Sequence, residues 1–196
     1  MKFLKINKLV ILAFLALSAC SVLGDVSVKV APYKVISKDG VFEIRQYADL
    51  TLVSTAAPDG ANKATVPFYK LFGYISGKNN KTQKIDMTAP VLMEQINRNT
   101  EYMSFVLPAD ITLAEAPIPN DPTVKLEHIS NYNVAVISFS GPFTQDTISH
   151  NHNLLQKWIA ENNLTIVGTV HAAGYNPPFT LPFLRRNEII IAIEKT

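Results

Sequence analysis

Cysteine is nearly missing from this chain of 196 residues. Cys20 stands alone, so no disulfide can form within the molecule and no Cys-x-x-Cys pair exists to hold a metal. A surplus of charge of either sign is missing too. Eighteen Lys and Arg face sixteen Asp and Glu, and three of the bases, Lys2, Lys5 and Lys8, crowd the N-terminus. Setting these three aside leaves fifteen against sixteen, a near-neutral body without the electrostatic footprint that a nucleic-acid partner requires. The four histidines, His128, His150, His152 and His171, include no His-x-x-x-His pair, so zinc has no motif here. Long apolar runs are also wanting. The longest near the front, residues 9–17, falls well short of the roughly 20 residues that span a bilayer.

What the N-terminus does hold is ordered. A short cationic stretch (residues 1–8) precedes that apolar run, and Leu17-Ser18-Ala19-Cys20 follows at once. This is the layout of a secretory signal peptide with a small-residue cleavage site. The tetrapeptide resembles a bacterial lipobox, which implies cleavage after residue 19 and a lipid on the Cys20 thiol. Ser21, rather than Asp, in the next position resembles the outer-membrane sorting choice. The expected organisation is a signal peptide at 1–19, a lipidated Cys and tether at 20–32, and one domain at 33–196. The expected location is the cell envelope, membrane-bound through the lipid and facing the periplasm.

The domain is long enough for a single core, and it reads as two similar halves around the Pro-rich stretch 116–122. In the first half a β-branched segment, Val41–Ala57, leads into a helical pattern at Val66–Ser76. Strand patterns follow at Lys84–Met93 and Tyr102–Leu107. In the second half strands at Val124–Ile129 and Asn133–Phe139 lead into a helix over Gln145–Asn162. Strands at Val167–Tyr175 and Asn187–Ile193 close the chain. Strands, helix and two strands, taken twice, predict an α+β fold. Its expected form is a distorted antiparallel β-barrel of two pseudo-symmetric halves, flanked by two helices. The first helix carries Phe68, Leu71, Phe72 and Ile75 at helical spacing, and the second carries Ile148, Leu155, Trp158 and Ile159. Thr65 can cap the first helix, Pro67 suits its first turn and Gly77 its exit.

Lys84-Ile85-Asp86-Met87-Thr88-Ala89-Pro90-Val91 gathers a carboxylate, a thioether and a hydroxyl, yet no Ser, Cys or His stands beside Asp86 to complete a catalytic pair. Pro90 cannot donate to a ladder, which places this strand at an edge or a bulge. The octapeptide resembles the signature of the SOUL haem-binding family, and other segments agree in order. These are residues 42–47 (FEIRQY), 71–79 (LFGYISGKN), 103–108 (MSFVLP), 173–178 (AGYNPP) and 185–189 (RRNEI). Together they cover about residues 33–194. The resemblance implies a two-helix, pseudo-symmetric barrel and binding of haem or another tetrapyrrole.

Carried over residue by residue, the resemblance places an apolar slot along the first helix, at Phe68, Leu71 and Phe72. Thr65 and Gly73 occupy positions where some members have cations, so Lys63, Lys70, Arg185 and Arg186 are the substitutes for holding propionates. Gln46 replaces a His proposed to bind iron in some members. Non-covalent haem without a strong axial bond is therefore expected, and His171, beside the matched Ala173-Gly174-Tyr175, is the candidate metal ligand. Glu188 opens an apolar strand, where burial could raise its pKa and suit it to a cationic ligand. A plain salt bridge to Arg185 or Arg186 is the alternative. No assembled nucleophile, base or metal set is legible, so a binding protein rather than an enzyme is expected. The rival to haem is a small amphipathic or cationic ligand, or an envelope protein.

Overall fold

The computed structural model describes residues 28–57, 65–95 and 101–194; Cys20, Lys63 and the signal-like segment lie outside them. Among these residues the strand-forming runs become β1 (Lys29–Val30), β2 (Tyr33–Asp39), β3 (Phe42–Tyr47), β4 (Leu50–Ala56), β5 (Thr88–Ala89) and β6 (Val91–Gln95). They continue as β7 (Glu101–Val106), β8 (Val124–Ile129), β9 (Asn133–Phe139), β10 (Ile166–Gly174) and β11 (Asn187–Ile193). Two helices, α1 (Thr65–Ile75) and α2 (Gln145–Glu161), interrupt the strands at equivalent points of the two halves. A capping box starts α2: the Thr144 hydroxyl accepts from the Thr147 amide, and the Thr147 hydroxyl accepts from the Thr144 amide.

Nine strands form one antiparallel sheet in the order β2-β3-β9-β11-β10-β6-β7-β4-β8. Exchanging β3 with β8, β4 with β9, β6 with β10 and β7 with β11 reproduces this order, from β3 to β8, read backwards. The duplication is thus written into the sheet, with its two-fold at the β6–β10 seam and β2 as the one added strand. The helices obey the same exchange, since α1 packs on β4 and β7 while α2 packs on β9 and β11. The sheet is a curled half-barrel whose edges are β2 and β8. Tyr47 of β3 and Leu50 and Leu52 of β4 share one buried cluster although their strands lie near opposite edges, which only a rolled sheet permits. That inner cluster contains no helix residue. The outer face carries two further cores, one under α1 around Leu71, Tyr74 and Phe105, the other under α2 around Leu155, Trp158 and Ile189.

Two local expectations change. Leu71, Tyr74 and Ile75 turn into the core, and burying Leu71 completely is worth roughly 2 kcal/mol; Phe72 points outward, 47 % exposed. Residues 84–87 are not strand. The ladder begins at Thr88–Ala89, where β5 pairs in parallel with β1, and the Ala89–Pro90 bond is cis. Thr88 donates its hydroxyl to the Val106 carbonyl, and Ile85 donates its amide to Ile75 at 2.8 Å. Lys29 and Val30, read from sequence as tether, belong to the folded body through that pairing. The exit from α1 is built by Gly77, at φ +108°, and by Asn79. The buried Asn79 side chain donates to the carbonyls of Tyr74 and Gln83 and accepts from the amides of Lys81 and Gln83.

Candidate functional site

On the outer face, over the β6–β10 seam where the two halves meet, the helices stand apart and leave a cleft of about 440 Å³. Its size falls within the range of roughly 300–1,000 Å³ typical of small-molecule sites. The floor is Val91 and Met93 of β6, Met103 of β7 and Gly174 of β10. Met93 and Met103 are direct cross-strand partners. Phe68 and Tyr69 from the first turns of α1 form one wall, and Phe143, just ahead of α2, forms another. Phe68 is held edge-on against Phe105, centroids 5.4 Å apart, and stacks on Phe72 at 6.0 Å. The rim is polar, with Thr65, Asn176, Asn187 and Arg185.

Arg185 belongs to the segment 175–186 that joins β10 to β11. Its Nε donates to the Thr180 carbonyl at 2.8 Å and its Nη2 to the Pro178 carbonyl at 2.6 Å. Two of the five guanidinium N–H groups are thereby committed, and they fix the cation at the cleft rim. The arrangement suits a flat apolar ligand with an anionic edge: soft apolar floor, aromatic walls, one positioned cation.

Of the residues singled out from sequence, Phe68 and Arg185 meet here. Leu71 is fully buried beneath α1 and cannot touch a ligand in the cleft, because it faces the sheet. Phe72 backs Phe68 from outside. Lys70 is turned away, its Nζ donating to Thr123 Oγ1 at 2.8 Å. Arg186 is consumed inside the molecule, stacked 3.9 Å over the Tyr175 ring and donating to Glu188 and to the Tyr33 hydroxyl.

His171 lies apart from the cleft. Strand alternation puts it with Ala173 on the inner face, opposite to Gly174, Val91 and Met93, so it does not line the cleft. It is buried beside Tyr132, whose hydroxyl lies 3.2 Å from Nδ1, with the Glu94 carboxylate 3.8 Å from Nε2. Burial pushes its pKa down to about 4, so the ring is neutral at ordinary pH.

Glu188 does not await a cation from solution either. It is fully buried and bidentate with Arg45 at 2.8 and 3.0 Å. It also accepts from the Tyr175 hydroxyl at 2.7 Å and Ser138 at 3.1 Å. Burial alone would raise its pKa, but the hydrogen bonds and charge of Arg45, then Arg186, outweigh it and hold the carboxyl below its ordinary value. Arg45 in turn donates to Glu43 at 2.7 Å and lies over the Tyr33 ring. Of the two cations expected to pair with Glu188, Arg186 does and Arg185 does not; the main partner, Arg45, comes from the matched FEIRQY strand.

Met93, Met103, Tyr69, Phe143 and Gly174 are cleft residues that the sequence reading missed. Met103 and Gly174 sit in matched segments, a usable signal, whereas nothing in the local pattern marks Met93 or Phe143. Among the described residues no cluster of three or more His, Cys, Asp or Glu is placed to hold a metal ion.

The family model described as SOUL heme-binding protein matches residues 28–192. Heme-binding protein 2 of Mus musculus is 31 % identical over 177 residues, 84 % of this chain and 83 % of that protein. Heme-binding protein 1 of Xenopus laevis is 28 % identical over 164 residues, covering 78 % and 84 %. Among solved structures, a hydrolase from Listeria innocua superposes with a TM-score of 0.58 at 8 % identity, over 81 % of this chain and 94 % of that one. The C-terminal domain of EcmrR gives 0.56 at 13 % identity, covering 84 % and 99 %. At such identities the structural likeness is one of fold alone.

Proposed function

The chain belongs to the SOUL haem-binding family, and from that premise we propose that it binds haem or a related tetrapyrrole, reversibly, in the cleft over the β6–β10 seam. One observation carries the reading: an apolar, aromatic-walled cleft with a fixed guanidinium at its rim, the complement of a flat macrocycle bearing carboxylates. Burial of the ring supplies most of the affinity at ~25 cal/mol per Å² of apolar area. Arg185 takes a propionate through its uncommitted N–H groups. No histidine is among the described residues that line the cleft, so this reading calls for no imidazole on the iron. The sulfur donors among the described lining residues are the thioethers of Met93 and Met103, which would be the side chains available to the metal of a bound macrocycle. The role is that of a binding protein rather than an enzyme, in an envelope lipoprotein anchored through Cys20. Titration of the full chain with haem, followed at the Soret band, tests this. The expected outcome is saturable binding at micromolar concentration with a weakly ligated spectrum. A linear, non-saturating rise would remove the function and leave the fold.

A further inference from the structure

The segment between β10 and β11 presents its largest apolar side chains to solvent. Phe179 is 64 % exposed, Leu181 42 % and Phe183 68 %, in the run Pro177-Pro178-Phe179-Thr180-Leu181-Pro182-Phe183-Leu184, which contains no charge. A patch of this kind marks an interaction surface, and the backbone indicates which kind. Pro177, Pro178 and Pro182 have no N–H to satisfy. Thr180 donates to the Pro177 carbonyl at 3.0 Å, Leu184 to Leu181 at 2.9 Å, and Arg185 to Pro182 at 3.1 Å. The carbonyls of Pro178 and Thr180 are taken by the Arg185 guanidinium, and Gly141 adds a bond to Pro182 at 2.9 Å. Thr180, the one polar side chain of the run, is buried at 1 % exposure. About half of the backbone polar groups of this uncharged run are bonded within the protein, which lowers the cost of taking it out of bulk water. The interfacial layer of a bilayer accepts such a segment, because headgroups and water there can meet the remaining N–H and C=O groups while the apolar side chains leave water.

The chain ahead of the domain points the same way. Seven residues separate Cys20 from Val28, and eight steps of at most ~3.5 Å each give a reach of about 28 Å. A molecule held at Cys20, or by the apolar run before it, stays within that distance of the bilayer. Its folded part begins close to the loop. β1 pairs with Thr88–Ala89, directly ahead of the Val91 that pairs with Gly174, where the loop departs. Tyr33, just past β1, accepts from Arg186 at the loop's base, at 3.0 Å.

We propose that the loop 177–184 is a membrane-docking element that seats Phe179, Leu181 and Phe183 in the interfacial layer of a lipid bilayer. Aromatic side chains favour that layer. Because Pro178 and Arg185 also line the cleft, docking brings the mouth of the tetrapyrrole site up to the membrane. The orientation rests on the N-terminal anchoring read from the sequence; the docking loop itself is tested separately from it.

Phe183→Trp and Phe179→Trp, each in the full chain, give a local reporter. The native Trp158 is the only tryptophan, buried and bonded to Asp39 at 2.9 Å, so it supplies a constant background. Ile118→Trp, 64 % exposed and beside the exit of α1, where Asn80 donates to its carbonyl, is the control. With vesicles of phosphatidylethanolamine and phosphatidylglycerol, both loop reporters are expected to shift blue and to be quenched by acyl-brominated lipid, while the control is not. Flotation of the same samples reports anchoring separately. Protein that floats with unquenched loop reporters overturns the docking loop and leaves the anchor standing. Reporters that are unquenched in protein that does not float remove both, and the patch then belongs to a protein partner. Quenching of the loop reporters supports docking whether or not the lipid anchor is present.

Discussion

At the residue scale the most consequential group is the carboxylate of Glu188. Removing its charge leaves Arg45, only 2 % exposed, inside the sheet with Glu43 as its one remaining anionic partner. Breaking a buried pair by deleting one member costs about 3–5 kcal/mol, and Glu43 keeps the cost near the lower bound. The pH dependence follows from the direction of the shift. A carboxyl whose folded pKa lies below its ordinary value of 4.5 contributes stability that is complete above that value and drains away as pH falls through the folded pKa. Urea unfolding of Glu188→Gln is therefore expected to show a loss of about 3 kcal/mol at pH 7 and a shallower decline in acid than the native chain. Equal stability at pH 7 would mean that the network does not hold the half-barrel together. Because Glu188 lies on the inner face, haem affinity of the folded variant should stay unchanged.

At the scale of elements, what decides the site is which face of a strand a side chain occupies. β10 presents Gly174 to the cleft and His171 to the rolled interior, three residues apart on opposite faces. The same division separates Val91 and Met93 from Leu92 and Glu94 on β6. Phe68 is half-buried on α1 with its ring against Phe105, so truncation removes part of the cleft wall. Losing roughly half the worth of a buried phenylalanine, about 1.4 kcal/mol, corresponds to a tenfold weaker Kd. Haem titration of Phe68→Ala should show that weakening, whereas His171→Ala should leave the Soret position where it is in the native chain. A Soret shift on losing His171 would put the iron inside the half-barrel and defeat the cleft assignment. α1 was legible as an amphipathic helix from its period, yet its orientation was not. Four apolar residues compete for a stripe that holds three, and the contacts with β4 and β7 turned Phe72 out and Leu71 in.

At the scale of the whole molecule, the two-fold of the sheet explains why the cleft lies where it does. Each half contributes a helix over its own strands, and the cleft opens at the seam between the halves, between the two helices. In the proposed lipoprotein reading, the polypeptide ahead of Lys29 would tie that cleft to a membrane. Mass spectrometry of the mature protein from bacterial membranes should find residues 1–19 gone and Cys20 acylated; an unmodified chain retaining Met1 would dissolve the lipoprotein reading.

The chain order of strands and helices, the duplication, the signal-like N-terminus and the family motifs were determined by the sequence alone, because the periods of 2 and 3.6 and short motifs are local properties. Only the tertiary structure decided that β2 and β8 are edges, that residues 29–30 join the fold, and that Leu71 turns into the core while Phe72, expected beside it, turns out. It also paired Arg45 with Glu188 across 143 positions of sequence and gathered the cleft from α1, β6, β7, β10 and the loop before β11. The physical reason is common to all of these. How far a sheet rolls, and which distant side chains then meet, depends on long-range packing and on the pairing of buried charges, and no window of neighbouring residues contains that information.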